Sequence, residues 1–476
     1  MALTYDPGQA IAFWDAIRSL PGYPHGEVIR LRQMLFESDA VLRLVDVLAT
    51  AGARPDSPLF VVMDATPMRR GQDDLKPFVL AILRQAGWAV ETQIAHPDAT
   101  GQVHTDLEQI GRVQTRLRSG CAVLALGSGT ITDIAKHACH RFEQASGATV
   151  PLVVFQTANS VSAYTSNMAP TFVDGVKRTL PSRYPEALVC DLETLRDAPY
   201  AMTAAGVGDL LAAGVSFADW YLAHSLGLDP TYSPLAESLM GSLDDTLLEL
   251  AGGVRQRELE AMGALAKLIA LAGLAMSLSQ ATTPLSGFEH VFSHVLDMAA
   301  ESRHQPLGSH GAQVALAALC MSTAYQIFLQ EFDPATVDWA RCFPDPAAMH
   351  DRVREAFAPL DATGRSGEEC WADYALKLEA WRSQRAVLPK LMAGWPAVRA
   401  ELAERAWSPR TIRRILRAVA LTESFESLQP PIGEMEARSA FLSAHWIRRR
   451  FTIGDLLFFL GWDRPALWQE IKQRSD

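Results

Sequence analysis

Three segments in the second half of the sequence carry side chains that can bind a metal ion. Asp209 follows the glycines of the stretch 206–208, His290 and His294 lie four residues apart, and His310 comes soon after them. A carboxylate and two imidazoles form a ligand set for catalytic Zn²⁺ and for Fe²⁺, with coordination positions left open for a substrate. The cluster therefore predicts a metal site whose metal the pattern does not identify.

Each of these residues also has a purely structural interpretation. An aspartate after two small residues is typical of a helix N-cap, so Asp209 is also interpreted as a cap. A histidine in an apolar segment is commonly a core residue. His290 and His294 share one helical face, but Glu289 precedes the first histidine, so the segment is not the metalloprotease motif. The concentration of histidines favours metal binding.

A second candidate site lies in the first half of the chain. A strand-like run ends at Gly127-Ser128-Gly129-Thr130, and a helical pattern follows through Asp133. A glycine turn between a strand and a helix exposes backbone N–H groups at the positive end of the helix dipole, which favours a phosphate. The G-x-G pattern is also typical of a plain tight turn, and it is not the full dinucleotide-binding fingerprint.

Short apolar runs and helical patterns alternate along the first 200 residues. The predicted strands are 59–63, 88–94, 121–126, 152–155 and 187–190, and helices are predicted near 73–87 and 105–119. This alternation indicates βαβ units and a mainly parallel sheet. The remainder is predicted to be helical, except for a looped region at 332–367. We therefore predict an α/β domain at 1–197 and an all-α domain at 198–476, with the active site in the interdomain cleft.

The composition excludes several classes of protein. The net charge is −11 and basic runs are short, which argues against nucleic acid as a partner. The 6 cysteines form no C-x-x-C pair and are expected to be reduced. The N-terminal residues lack the pattern of a signal peptide, and no stretch is apolar enough to predict a membrane span. We therefore expect a cytoplasmic protein.

Together, these motifs resemble those of the sn-glycerol-1-phosphate dehydrogenases. That family belongs to the superfamily of iron-containing alcohol dehydrogenases, glycerol dehydrogenases and dehydroquinate synthases. The similarity runs nearly end to end, and it implies a dehydroquinate synthase-like fold. The matching stretches are 127–133, 159–167, 175–177, 191–192, 198–199, 205–209, 219–220, 286–290, 310–311 and 449–457.

The resemblance assigns roles to individual residues. It implies that Asp209, His290 and His310 are the metal ligands, and that Lys177 binds the substrate phosphate, although a solvated turn lysine is the alternative. His294, one turn from a ligand, relays a proton or supports the ligand. The residues implied to bind the cofactor are Gly127, Ser128, Gly129, Thr130, Asp133, Thr157 and Ser160, with Asp64 a candidate for the adenosine ribose.

The implied reaction is hydride transfer between NAD or NADP and a small phosphorylated ketone. Dihydroxyacetone phosphate, giving sn-glycerol 1-phosphate for phospholipid metabolism, is the expected substrate. The resemblance also implies one divalent metal, Zn²⁺ before Ni²⁺ or Fe²⁺, and a homodimer. Ser162 departs from the family, whose members usually carry an aspartate at that position, and it would contact the substrate. Three alternatives stay open: a polyol or alcohol dehydrogenase acting on another carbonyl (unphosphorylated or a phosphonate), a dehydroquinate synthase-like cyclase, and a non-enzymatic nucleotide-binding protein.

Overall fold

The computed structural model of the chain describes residues 3–475. The first two residues of the N-terminal stretch, for which no signal peptide is predicted, lie outside this range. The strands are β1 (Gln33–Glu37), β2 (Pro58–Met63), β3 (Arg69–Arg70), β4 (Asp73–Asp74), β5 (Ala89–Ile94), β6 (Ala122–Gly127), β7 (Leu152–Gln156), β8 (Met168–Val173), β9 (Val176–Pro181) and β10 (Ala187–Asp191).

Helices account for the rest of the regular structure. The α-helices are α1 (Ala10–Arg18), α2 (Leu44–Thr50), α3 (Leu75–Gln85), α4 (Leu107–Gln114), α5 (Gly129–Ser146), α6 (Leu192–Asp197), α7 (Tyr200–Leu210), α8 (Ala213–Ser225), α9 (Leu235–Met240), α10 (Leu243–Gln256), α11 (Leu259–Leu278), α12 (Phe288–Ser302), α13 (His310–Glu331), α14 (Pro346–Phe357), α15 (Arg365–Ser383), α16 (Leu388–Met392), α17 (Trp395–Arg405), α18 (Pro409–Ala418), α19 (Glu434–Ser443), α20 (Ile453–Phe459) and α21 (Arg464–Ser475). Short 3-10 helices span Ala40–Arg43, Ser162–Tyr164, Thr283–Leu285, Pro334–Thr336, Phe425–Ser427 and Ala444–Trp446.

Six strands form a sheet in the order β1-β10-β7-β6-β2-β5, and all of its neighbouring strands are parallel. Every residue of β6, β7 and β10 is buried, as expected for strands that are covered on both faces. The α/β fold class and all five strands predicted from the sequence are confirmed.

One strand of this sheet escapes the sequence pattern. β1 lies at the edge of the sheet, and only Met34 in it is buried. An edge strand has one neighbour and more exposed surface. Its sequence therefore lacks the continuous run of apolar residues that marks the central strands. The short β3–β4 and β8–β9 pairs, outside the main sheet, were also not predicted.

From α6 onward, every regular element within the described residues is a helix, as predicted. The predicted loop at 332–367 is wrong in its middle, where α14 lies. Asp345 caps α14 by accepting hydrogen bonds from the N–H groups of Ala347 and Ala348, and Pro346 occupies the first turn. Proline and aspartate at these positions mark a helix start, so the composition that indicated a loop belongs to a helix cap.

Three helical stretches are long and apolar enough to cross a membrane by length and composition alone. They are Tyr200–Ser225, Leu259–Leu278 and His310–Glu331, and 89% of the apolar window in each is buried inside the protein. No such stretch is predicted from the sequence. Helices that are apolar on all sides are typical of the core of a large protein, and burial accounts for these three.

The chain divides into two compact units. Unit 1 contains the residues up to Val173, Lys177–Leu210 and Pro234–Leu278; unit 2 contains Asp174–Val176, Leu211–Ser233 and the residues from Ser279 onward. Unit 1 thus holds the sheet together with helices such as α11, which packs against α6, α7 and β1. A single domain boundary after residue 197 stays a prediction, since contact density does not test which segments fold independently.

Candidate active site

Several candidate cofactor residues of unit 1 follow the carboxyl ends of parallel strands. Asp64 follows β2, Gly127 ends β6, and Thr157 follows β7. The carboxyl ends of parallel strands share one edge of the sheet, and ligands of open α/β sheets bind at that edge. Three candidates from distant parts of the sequence therefore lie along one edge.

The glycine turn brings β6 and α5 very close to their neighbours. A Cβ atom on Gly127 would lie 2.5 Å from Ile131 Cβ, and one on Gly129 would lie 2.3 Å from Val161 Cγ2. Both glycines are therefore required by packing, whatever binds there. Ser128 and Thr130 are half-buried, and the first N–H groups of α5 have no partner within the helix. The turn has the geometry of an anion site.

Asp133 supports this turn from inside the protein. Its carboxylate Oδ1 lies 2.9 Å from Lys136 Nζ, and Lys136 also donates to the carbonyl oxygens of Ala163, Ser166 and Met168 at 2.6, 3.1 and 2.8 Å. Burial raises the pKa of Asp133 to about 6, although the Lys136 charge opposes that rise. The hydrogen bonds of Lys136 thus fasten α5 to the segment that follows β7, and Asp133 supplies the opposite charge.

The other candidate cofactor residues have partners of their own. The N–H of Thr157 donates to the Gly127 carbonyl at 3.2 Å, and Ser160 Oγ lies 3.0 Å from Tyr164 Oη. Asp64 forms an ion pair with Lys76. The Asp64 carboxylate is thus part of a local charge pair at the end of β2.

The two candidate substrate residues lie in unit 1. Lys177 is half-buried on β9, with its ammonium 5.8 Å from the centre of the Phe172 ring. Its charge helps to lower the pKa of Asp133, against the larger effect of burial. Ser162 begins a 3-10 helix, and its N–H donates to Asp209 Oδ2 at 3.0 Å.

Asp209 is not a helix N-cap, so that interpretation of the sequence is wrong. It is the penultimate residue of α7, and Gly206 lies within the same helix. A Cβ on Gly206 would lie 2.1 Å from the Asn159 carbonyl oxygen, so this glycine serves close packing. The C-terminal end of a helix dipole favours cations. A buried carboxylate at that end is therefore suited to hold a positive ion.

The histidines of unit 2 are oriented by neighbouring side chains. His290 Nδ1 lies 3.0 Å from Glu289 Oε1. His310 Nδ1 lies 3.0 Å from Ser293 Oγ, which itself donates to Gln313 Oε1 at 2.8 Å. Both Nδ1 atoms thus face hydrogen-bond acceptors, which leaves the Nε2 lone pairs for other ligands. This arrangement is typical of metal-binding histidines.

Asp209 of unit 1 offers a carboxylate oxygen, and His290 and His310 of unit 2, with ring centres 5.2 Å apart, each offer an imidazole nitrogen. One carboxylate oxygen and two imidazole nitrogens suit Zn²⁺, Fe²⁺ or a similar divalent cation. The chemistry of the donor set and the supported Nδ1 atoms both fit such an ion.

His294 lies beside the two other histidines. Its ring stacks on that of His310 with the centres 5.7 Å apart, and Arg448 Nη2 lies 3.3 Å from its Nδ1. Arginine can only donate, so His294 Nδ1 accepts and Nε2 carries the proton. His294 is therefore placed as a hydrogen-bond donor beside the candidate ligands.

Sequence reasoning missed the residues that hold the histidines, namely Glu289, Ser293, Gln313 and Arg448. The carboxylate directly before His290 was a usable signal, because ligating histidines commonly donate their second N–H to a carboxylate. The other three residues gave no local signal.

The sequence of the chain is similar to the sequences of known proteins. Residues 36–199 match the sequence model of the family described as iron-containing alcohol dehydrogenase. Glycerol-1-phosphate dehydrogenase (NAD(P)+) of Bacillus subtilis (strain 168) is 29% identical over 341 residues, covering 70% of this chain and 83% of that protein. The protein of the same name from Geobacillus stearothermophilus is 30% identical over 280 residues, covering 56% of this chain and 67% of that protein.

Solved structures share the fold. A 1,3-propanediol oxidoreductase superimposes with a TM-score of 0.55 at 15% identity, covering 92% of this chain and 97% of that one. A probable glycerol dehydrogenase from Sinorhizobium meliloti 1021 gives a TM-score of 0.53 at 15% identity, with the same coverage of 92% and 97%. At such low identity these likenesses establish the fold alone.

Proposed function

The chain belongs to the glycerol-1-phosphate dehydrogenase family of iron-containing alcohol dehydrogenases and is an oxidoreductase, and we propose that it reduces dihydroxyacetone phosphate to sn-glycerol 1-phosphate with NADH or NADPH. The observation that carries this proposal is the pair His290 and His310 in unit 2, whose ring centres lie 5.2 Å apart and whose Nδ1 atoms face Glu289 and Ser293. Relatives that bear the name of this activity supply the substrate class.

In this proposal Asp209, His290 and His310 hold one divalent metal ion, Zn²⁺ before Ni²⁺ or Fe²⁺. When bound, the ion supplies Lewis acidity to the carbonyl that is reduced. Glu289 and Ser293 keep the two imidazoles in the orientation that ligation requires. His294 presents Nε2–H and can deliver a proton to the product oxygen or support the ligands.

The nicotinamide cofactor supplies the hydride. The turn formed by Gly127, Ser128, Gly129 and Thr130 is proposed to bind its pyrophosphate through backbone N–H groups. Asp133 supports the turn. Thr157 and Ser160 are proposed to line the cofactor, and Asp64 to contact the adenosine ribose.

Lys177 is proposed to bind the substrate phosphate and Ser162 a substrate hydroxyl. The proposal also includes a cytoplasmic homodimer that acts in phospholipid metabolism. A serine at position 162 lacks the negative charge of the aspartate usual in the family. This difference favours one second candidate, the reduction of another small carbonyl compound that is unphosphorylated or a phosphonate.

Oxidation of NADH and NADPH with dihydroxyacetone phosphate tests the proposal, after chelation and re-addition of Zn²⁺, Ni²⁺ or Fe²⁺ in turn. We expect activity to disappear on chelation and to return with at least one metal. His310→Ala should lose both bound metal and activity, whereas His304→Ala, at an exposed turn, should keep both. Activity on another aldehyde or ketone, but none on dihydroxyacetone phosphate, would favour the second candidate. Unchanged metal content and activity in His310→Ala would refute the catalytic role.

A further inference from the structure

Asp219 in unit 2 is a fully buried carboxylate that binds donors from three elements. Its Oδ2 accepts from the N–H of Phe288 at 2.8 Å, while its Oδ1 accepts from the N–H of Ile453 at 2.8 Å and from Tyr325 Oη at 2.6 Å. Phe288 and Ile453 are the first residues of α12 and α20. N–H groups at helix starts have no partner within the helix, so Asp219 satisfies two helices at once.

The starts of α12 and α20 also interlock sterically. A Cβ on Gly287 would lie 2.7 Å from Asp219 Oδ2 and 2.8 Å from Glu289 Oε2. A Cβ on Gly454 would lie 1.9 Å from Cε2 of Phe288. No real Cβ tolerates such distances, so both glycines are needed for this junction to form.

Glu289 connects the junction to the candidate metal site. Its side chain is fully buried, and Oε1 accepts from the N–H of Gly287 at 2.6 Å and lies 3.0 Å from His290 Nδ1. A carboxylate can only accept, so Nδ1 of His290 carries the proton and Nε2 the lone pair. The position of Glu289 thus decides where that lone pair points.

Arg450 supplies the positive charge near the two carboxylates. It donates to Thr282 Oγ1 at 2.7 Å. Burial lowers the pKa of Arg450 to about 10, while the charges of Glu289 and Asp219 act in the opposite direction. Buried charges require compensation of this kind. Arg450, Ile453 and Gly454 all belong to the stretch 449–457, which the reaction chemistry has not otherwise used.

We propose that Glu289 is a positioning residue for the metal ligand His290, and that Asp219 holds Glu289 in place by fastening α12 to α20. The segments around 219–220 and 449–457 then belong to the support of the metal site. This inference rests on the proposed function, because it assumes that His290 binds a metal.

The test is metal affinity and the absorption spectrum of the Co²⁺-loaded protein, measured on purified full-length chain without substrate. Glu289→Gln keeps the shape of the side chain and removes its charge; we expect it to weaken Zn²⁺ binding about 10- to 100-fold and to shift the Co²⁺ bands. Asp219→Asn should weaken binding in the same direction, because the amide nitrogen that replaces one carboxylate oxygen cannot accept a hydrogen bond from a helix N–H group.

Two buried carboxylates of unit 1 provide matched controls. Asp191 accepts from the N–H groups of Val41 and Thr194, and Glu186 accepts from the N–H of Leu152. Asp191→Asn and Glu186→Gln should lower thermal stability but leave metal affinity and the Co²⁺ spectrum unchanged. If Asp219→Asn does not fold, the metal affinity and the Co²⁺ spectrum of Glu289→Gln alone decide whether Glu289 positions His290.

The outcomes separate the two proposals. If the wild type binds metal and Glu289→Gln shows the same affinity and spectrum, the positioning role is overturned while the proposed function stands. If the wild type binds no metal, the proposed function fails and this inference falls with it. Weakened binding in the controls to the same degree would also overturn the inference, since any loss of buried charge would then suffice.

Discussion

The two candidate binding regions differ in what they offer a ligand. The phosphate turn, residues 127–133, presents backbone N–H groups, and its glycines are fixed by contacts with Ile131 and Val161. The histidine cluster, which we define as His290, His294 and His310, presents side chains. Each of its rings is oriented by another side chain. The turn therefore depends on the absence of bulk, whereas the cluster depends on particular hydrogen bonds.

This difference predicts how each region responds to substitution. A backbone site is insensitive to side-chain chemistry, but an added methyl group disrupts it. A side-chain site is less sensitive to bulk added nearby, but it loses affinity for its ligand when one hydrogen-bond partner is removed. Both regions share one requirement, which is a set of buried polar groups that holds them against the rest of their unit.

The largest effect is expected from Lys136→Met, which removes the support of the phosphate turn. The substitution leaves Asp133 without its charge partner and three carbonyl oxygens without their donor. Breaking a buried ion pair costs about 3–5 kcal/mol of unfolding free energy. Urea denaturation measures the loss, and Lys390→Met, at an exposed position, should change stability by less than about 0.5 kcal/mol.

The same variant should show a distinctive pH dependence. Burial raises the pKa of Asp133 from 3.8 to about 6, so the folded state holds that proton more tightly than the unfolded chain. The stability due to protonated Asp133 is complete below about pH 3.8 and is lost as pH rises through about 6. Without Lys136 this loss should grow, so the cost of Lys136→Met should be larger at about pH 8 than at about pH 5. An equal cost at both values would contradict the ion-pair explanation.

A smaller effect is expected from bulk added to the turn itself. Gly129→Ala places a Cβ 2.3 Å from Val161 Cγ2, whereas Val161 Cβ is 3.8 Å away. Overpacking of this kind costs about 1–3 kcal/mol and should weaken NADH binding. Adding Val161→Ala removes the clashing methyl group, so the double variant should regain stability and cofactor affinity. Strictly additive losses in the double-mutant cycle would show that Gly129 is needed for another reason.

The sequence predicted those elements whose signal is local. The central strands are continuous apolar runs, and the glycine turn and the histidines are visible as residue types. The edge strand β1 has no such run, and α14 was obscured by the proline that begins it. Apart from Glu289, the residues that support the cluster could not be predicted from the sequence, because hydrogen bonds such as those from Arg448 to His294 and from Ile453 to Asp219 join residues far apart in the chain. The small residues before Asp209 are typical of a helix start and led to its interpretation as an N-cap. In the structure, one of them, Gly206, allows close packing of α7 against the Asn159 carbonyl oxygen.

A third prediction tests the cluster through one hydrogen bond. Ser293→Ala removes the acceptor that holds His310 Nδ1 and also the donor to Gln313. Metal affinity should fall about 10-fold, since partners of ligating histidines have effects of that size. Competition with a chelating dye measures the affinity. The control is Ser322→Ala, which removes a buried hydroxyl of α13 and should leave the metal affinity unchanged. An equal loss of metal affinity in both variants would contradict an orienting role for Ser293.

The smallest effect is expected from Lys177→Gln, which removes a half-buried charge that lies near Asp133 and over the Phe172 ring. If Lys177 contacts the substrate phosphate, the KM for dihydroxyacetone phosphate should rise by about threefold to fivefold. That factor corresponds to about 1 kcal/mol or less, the usual size for a solvent-accessible ion pair. The kcat should stay constant, because the contact exists equally in the bound substrate and the transition state. Arg178→Gln is the matched control, since successive residues of a strand point to opposite faces. A fall in kcat at constant KM would place Lys177 in the chemical step, and an unchanged KM would assign the phosphate to another cation.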